Sequence, residues 1–281
     1  MIKITECPRD AMQGIDKFIP TDVKITYLNL LLKVGFHRID FGSFVSPTLV
    51  PQMRDTAEVV NKLEMEGSKS SLLAIIANLR GATEASEFQQ ISYLGYPLSI
   101  SESFQKRNTN RTIAESLVEV DQIANHCLQT NTNLLVYLSM AFGNNDGELW
   151  NADIVSQYAA RLVELGVKEI VLADTIGNSS PEKISHLYPY LKNEFPKTIW
   201  GLHLHSKPDS AQSKLQAALA SGCDQFDTAL RGFGGCPMAG DHLIGNIATE
   251  TLLSAISSLG DNQLDMQSLQ EAQKYSYRVF D

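Results

Sequence analysis

The sequence has no CxxC pair. Its four cysteines, Cys7, Cys127, Cys223 and Cys236, stand far apart without zinc-finger spacing. That pattern excludes a disulfide framework and fits single thiols in a reduced, cytoplasmic setting. No apolar run approaches the roughly 18 residues that a membrane span needs. The opening MIKITECPRD lacks both the apolar centre of a signal peptide and the Arg/Ser-rich character of a transit peptide. Basic charge is short as well: 23 Lys and Arg stand against 32 Asp and Glu, a net charge of -9. Such a surface disfavours nucleic acid and anionic lipid, so neither is expected as a partner. No Pro/Gly/Ser-rich linker interrupts residues 1–281, which are expected to form one domain. Histidine is scarce too, six in all, yet GLHLHSKPD places His203 and His205 one residue apart.

What the chain has is alternation. The β-rich runs IKITEC, HRIDFGSF, SLLAIIANL, YPLSISES, TNLLVYLSMAF, KEIVLADT, TIWGLHLHS and DQFDTAL are each followed by a segment with helical spacing or helix signals. One such segment opens on Thr21 as its N-cap and closes on Gly35. Another spaces Val155, Ala159, Leu162 and Val163 on one stripe before Gly166. A third has Ser180 as cap and Pro181 at its first helical position. Eight strand–helix units predict an α/β fold, a (β/α)8 TIM barrel, with an extra C-terminal helix after Asn262. A doubly wound open sheet fits the count of eight less well. GATEASEFQQISYLG is a weak helix, and residues 104–112, FQKRNTNRT, read as a polar loop.

A barrel of this kind carries its chemistry where strands end and loops begin. The polar residues at those ends are Arg9, Asp10, Asp40, Ser43, Glu102, Asp174, Thr175, His203, His205, Asp227 and Arg231. Residues i and i+2 of a strand share a face, so both imidazoles can meet one ligand. With Asp10 nearby they make a candidate divalent-metal site, and mixed N/O ligands suit Mg²⁺ or Mn²⁺, with Zn²⁺ left open. Asp241, His242 and Asn246 offer a fourth ligand. The bland alternative is two core histidines bonded to backbone carbonyls. Arg9 could stabilise an oxyanion, or form an ion pair with Asp40 or Asp174. RGFGGCPMAGDHLIGN, residues 231–246, reads as a mobile glycine loop with Cys236 at its tip, while the other cysteines read as small buried hydrophobes.

Several stretches resemble the 3-hydroxy-3-methylglutaryl-CoA lyase family of metal-dependent barrels. CPRDAMQ, IDFGSFVSPTLVPQM, LADTIGNSSP, GLHLH, GFGGCP and GNIATE occur in family order. SFVSPTLVPQM and GFGGCP are the specific ones. The HxH and RD motifs are shared with isopropylmalate and homocitrate synthases. The resemblance implies that Asp10, His203, His205 and Asn246 bind the metal and that Arg9 stabilises an enolate. It implies that Asp174, with His203, moves the hydroxyl proton, and that Cys236 serves as proton donor or gate. Asp40 falls where the family carries Glu. The implied substrate is a small-molecule 3-hydroxyacyl thioester, with CoA as carrier, and a homodimer is compatible. RDAMQ, SKPD and GNNDGELW depart from the family's usual loops. The expected activity is carbon–carbon cleavage. The alternatives are a condensing enzyme or aldolase acting on a 2-oxo acid, and a binding protein with a decayed site.

Overall fold

Eight parallel strands close into a barrel in chain order, as the alternation predicts. The computed structural model describes residues 1–235, 244–257, 260 and 263–281. Strand β1 (Lys3–Glu6) leads into the short helix α1 (Pro8–Gln13) and then α2 (Thr21–Val34). β2 (Arg38–Ser43) precedes α3 (Thr56–Val60), and β3 (Ser71–Ile75) precedes α4 (Leu79–Ala85). β4 (Ile91–Ser99) is followed by α5 (Glu102–Thr109) and α6 (Ile113–Thr130), and β5 (Asn133–Ser139) by α7 (Ala152–Glu164). β6 (Glu169–Asp174) precedes α8 (Pro181–Glu194), and β7 (Ile199–Leu204) precedes α9 (Pro208–Ala220). β8 (Gln225–Thr228) leads to α10 (Thr249–Ile256) and α11 (Met266–Phe280), the extra C-terminal helix. Pairing of Ile4 with Phe226 and Glu6 with Thr228 closes the ring. No helix among the described residues is long and apolar enough to cross a membrane.

The strands are buried on both faces, which is why they read as nearly unbroken apolar runs. Outward side chains such as Leu202, Leu204 and Phe226 join the main core under the helices. Leu73, Ile75, Leu135, Tyr137 and Val171 form a separate cluster inside the barrel. Nearer the strand starts, the interior is polar. The Arg38 guanidinium reaches Glu169 at 2.5 Å, Gln225 at 3.2 Å and Thr5 at 3.3 Å, and lies over the Tyr93 ring.

Three local expectations give way: of GATEASEFQQISYLG only the part up to Ala85 is helical, and Ile91 already opens β4. Residues 104–112 are not a loop throughout, since α5 runs to Thr109. Ser101 accepts from Phe104 N–H, and the Glu148 carboxylate accepts from the N–H groups of Glu102 and Ser103. Glu148 comes from the loop after β5, beyond the reach of a local pattern. Thr21 is the first helical residue after Pro20 rather than the cap, and its hydroxyl donates to Asp55. Gly35 does end that helix in the left-handed conformation.

Glu6 faces outward from β1 and joins both roots of the loop after β8. It accepts from Leu230 N–H at 2.7 Å and from the Thr249 hydroxyl at 2.6 Å. Burial pushes its carboxyl up to about 8, although both of these hydrogen bonds pull it down.

Removing one member of a buried ion pair leaves the other charge desolvated, which costs about 3–5 kcal/mol. Arg38→Ala should therefore lower stability by about that much in urea or thermal unfolding. The Arg38→Met/Glu169→Leu double variant should recover most of the loss. A native-like melting temperature for Arg38→Ala alone would show that the pair is solvated and dispensable.

Candidate metal centre at the barrel mouth

His203 belongs to β7 and His205 follows it, so strand alternation turns both rings inward. Their Nε2 atoms lie 3.1 Å apart. The other nitrogen of each ring is already engaged. His205 Nδ1 faces the Thr175 carbonyl at 3.1 Å, where it can only donate. His203 Nδ1 faces Asp227 Oδ2 at 3.3 Å. Both outer partners therefore place N–H on Nδ1 and leave an Nε2 lone pair on each ring. Two lone pairs at that separation repel unless a proton or a cation lies between them.

Asp10 is presented by the first turn of α1, and its ligand atoms and those of both histidines lie within 4.8 Å of one another. Asn246 completes the group. Its Nδ2 donates to Asp10 Oδ2 at 2.7 Å and to the Phe233 carbonyl at 2.9 Å. Its Oδ1 is buried without a hydrogen-bond partner. An orphaned buried amide oxygen beside a carboxylate and two imidazole lone pairs fits a hard or borderline divalent cation.

The electrostatics of Asp10 and His205 agree with that donor set, while His203 without an ion is drawn toward the protonated form. Burial alone would raise the Asp10 carboxyl, but Arg9 and the two imidazoles hold it down at about 2. Burial and the neighbouring His203 push His205 down to about 4. Burial would also lower His203, yet the Asp227 hydrogen bond and the Asp10 charge raise it. His205 is thus neutral at physiological pH, as a ligand must be.

Arg9 makes the expected ion pair, and the partner is Asp40. Its Nε lies 3.0 and 3.1 Å from the two Asp40 oxygens, and its Nη2 2.6 Å from Oδ2. Nη1 reaches Asp10 Oδ1 at 3.2 Å and Gln13 Oε1 at 2.8 Å. Burial works against the guanidinium charge, but Asp40 and Asp10 outweigh it and raise the Arg9 pKa. Burial pushes Asp40 up to about 6 against the pull of Arg9, so it is a carboxylate near neutral pH. Arg9 also lines the cavity beside the histidines.

The structure does not bring Asp174 to His203. In the β6–β7 register, Ala173 lies opposite His203 and Asp174 opposite Leu204, so Asp174 turns away from the cavity. Its oxygens accept from Ser179 N–H, the Ser179 hydroxyl and Lys214 Nζ at 3.0, 2.5 and 3.2 Å. The carboxylate behind His203 is Asp227, which the sequence placed at the rim without a role. No local signal marks that role, because only the β7–β8 register sets Asp227 opposite His203. Gln13 was missed as well, although it lies three and four residues after Asp10 and Arg9 on α1. Tyr137 presents its ring edge to His203 at 5.7 Å, and its hydroxyl is buried without a partner.

Cys236, Asp241 and His242 lie outside the described residues. Cys7, Cys127 and Cys223 are free and buried, as expected. The glycines before Cys236 have a use beyond mobility. A Cβ on Gly234, at φ +112, would sit 2.3 Å from Asn246 Nδ2 and 2.9 Å from Asp10 Oδ2. Only glycine lets this backbone press against the Asp10–Asn246 pair.

A cavity of about 200 Å³ opens over the group. Its lining combines Arg9, Asp10, Gln13 and the two histidines with apolar residues such as Val45, Leu49, Ile75 and Phe104 and the hydroxyl residues Ser43, Ser139 and Thr175. That volume suits a short acyl group with a polar end.

Gly234→Ala should weaken Mn²⁺ binding by about 10–100-fold, the range for loss of groups that orient metal ligands. Mn²⁺ titration followed by EPR reads the effect, with circular dichroism unchanged. Native affinity in this variant would show that the contact with Asp10 and Asn246 is incidental.

The chain matches the HMGL-like family over residues 2–275. It is 33% identical over 277 residues to the cytoplasmic 3-hydroxy-3-methylglutaryl-CoA lyase of Rattus norvegicus, covering 96% of this chain and 79% of that one. It is 30% identical over 262 residues to the (R)-citramalyl-CoA lyase of Chloroflexus aurantiacus, covering 90% of this chain and 82% of that one. An HMG-CoA lyase from Acinetobacter baumannii, solved in complex with coenzyme A and 3-methylmalate, superposes with a TM-score of 0.91 at 29% identity. The superposition covers 100% of this chain and 91% of that one. A sequence match running almost end to end, on a barrel that superposes throughout, means that the chain belongs to the HMGL-like family.

Proposed function

We infer that this chain is a divalent-metal-dependent carbon–carbon lyase that cleaves a 3-hydroxyacyl thioester, with 3-hydroxy-3-methylglutaryl-CoA the first substrate to test. The observation that carries this is the buried, partnerless Asn246 Oδ1 beside Asp10 and the two facing imidazoles. Asp10, His203, His205 and Asn246 are assigned as ligands, of Mg²⁺ or Mn²⁺ by their mixed N/O chemistry. The acyl carrier is assigned as CoA. The A. baumannii lyase in complex with coenzyme A supports that choice.

A divalent ion held by this set supplies Lewis-acid polarisation of the substrate oxygens and eases loss of the hydroxyl proton. The chain's own groups do the rest. Arg9 is held by Asp40 and lines the cavity, so its guanidinium charge is placed to stabilise the negative charge that develops on the thioester oxygen as the bond breaks. The hydroxyl proton passes to solvent at the open cavity, because His203 Nδ1 already carries its proton toward Asp227 and its Nε2 is assigned to the metal. The bond between C2 and C3 then breaks, C3 becomes a carbonyl, and its electron pair passes to the acetyl enolate. A proton must reach the enolate carbon, and Cys236 is assigned as its donor, since a thiol gives up a proton readily near neutral pH. The apolar part of the lining limits water at the enolate.

Two measurements test this. Purified chain with Mg²⁺ or Mn²⁺ should release acetyl-CoA from one or more members of a 3-hydroxyacyl-CoA panel, and EDTA should stop the release. If no member is cleaved, and the protein instead condenses a 2-oxo acid with acetyl-CoA, the assignment passes to a synthase. Arg9→Gln should lower kcat by about 10²-fold, the scale for losing one oxyanion donor, with Mn²⁺ affinity much less affected. Near-native turnover would leave Arg9 a purely structural partner of Asp40.

A further inference from the structure

The loop after β8 does not rest on the barrel alone. Its first residues are clasped by the last turn of α11. The Phe233 ring stacks on Phe280, with centroids 4.6 Å apart and planes 12° from parallel. The Arg231 guanidinium lies 3.8 Å over the Tyr277 ring and pairs with Asp281 at 3.1 Å. On its other side, Phe280 meets Tyr27 of α2 edge-on at 5.9 Å. Phe280 is therefore wedged between a barrel helix and the loop.

Phe233 is also where the candidate metal centre takes its orientation. Its carbonyl accepts one Asn246 Nδ2 proton, and Asp10 Oδ2 accepts the other. With both amide protons engaged, Oδ1 must point the opposite way, and there it is buried without a partner. Rotation of the amide by half a turn would present an NH₂ group instead, which has no lone pair to offer a cation. The Phe233 carbonyl is one of two contacts that select between these orientations. The ring on the same residue is held by Phe280. Gly234, the next residue, already sits against Asn246 and Asp10 at closest approach, so a small shift of this backbone reaches both side chains.

We propose that the last turn of α11 is a remote positioning element for the candidate metal centre: Phe280, acting through Phe233, holds the Asn246 amide in its orientation against Asp10. This rests on the metal assignment above. Phe280 touches no ligand, and its effect should appear in metal affinity before anything else.

The test uses the full chain and Mn²⁺ alone, titrated by EPR without substrate. Native protein is compared with Phe280→Ala, Phe280→Tyr and Leu269→Ala. Leu269 is buried in the same helix near its start, which docks at the far end of α2 through Asp265 N–H and the Val34 carbonyl. It controls for general loosening of α11. Phe280→Ala should weaken Mn²⁺ binding about tenfold, the lower end of the range for groups that orient ligands. Phe280→Tyr, which keeps the stacked ring, should bind as the native chain does. Leu269→Ala should lower the melting temperature while Mn²⁺ affinity holds. Native affinity in Phe280→Ala, or equal weakening in Leu269→Ala, would overturn the positioning role while leaving the metal centre standing. Native protein that binds no Mn²⁺ would overturn both.

Discussion

The Asn246 amide donates to Asp10 Oδ2 across 236 positions of sequence, at 2.7 Å. The candidate centre depends on that bond. It brings the loop after β8 down onto the start of α1 and, with the Phe233 carbonyl, engages both amide protons. Barrel closure makes it achievable. β1 pairs with β8, so the first and last strands deliver Asp10 and Asn246 to the same point. Glu6 ties both roots of the intervening loop to β1, and Gly234 allows the backbone to lie flat against the pair.

Buried charge is the other constraint. Asp10, Asp40 and Asp227 are all nearly inaccessible, and isolated carboxylates in such a place would protonate or unfold the chain. Arg9 offsets Asp40 and Asp10 together. Asp227 is offset from the His203 side. Three carboxylates against one guanidinium leave the mouth negative, and a divalent cation is the complement that the imidazole lone pairs also favour. The Arg38–Glu169 pair is set nearer the strand starts, yet both of its members feel the charge of Asp227 within the barrel interior.

Residue types and their spacing anticipated that Arg9, Asp10, His203 and His205 meet at one cavity. HxH on a strand end cannot send its two side chains to different faces, and an RD pair after β1 cannot lie far from β8 once the ring closes. The strands, the extra helix and the ligand candidates all follow from patterns within a few residues. What was not legible depended on partners far away in sequence. Helix α5 is capped from outside by Glu148, so FQKRNTNRT alone reads as a loop. Asp174 sits beside the histidines in any alignment of strand ends, but the pleat turns it outward to Lys214. Asp227 looked like one more rim carboxylate until the register set it behind His203.

The sequence by itself determined the fold class and pointed to the strand ends as the place of the candidate site, because strand periodicity and strand-end position are local properties of the chain. Only the tertiary structure decided which face each carboxylate occupies, which partner Arg9 takes, which way the Asn246 amide points and what holds Phe233. These are choices among nearly equivalent polar contacts. They are settled by the burial and packing of groups from β1, β2, β8 and α11 at a single place, and no stretch of the chain contains that information alone.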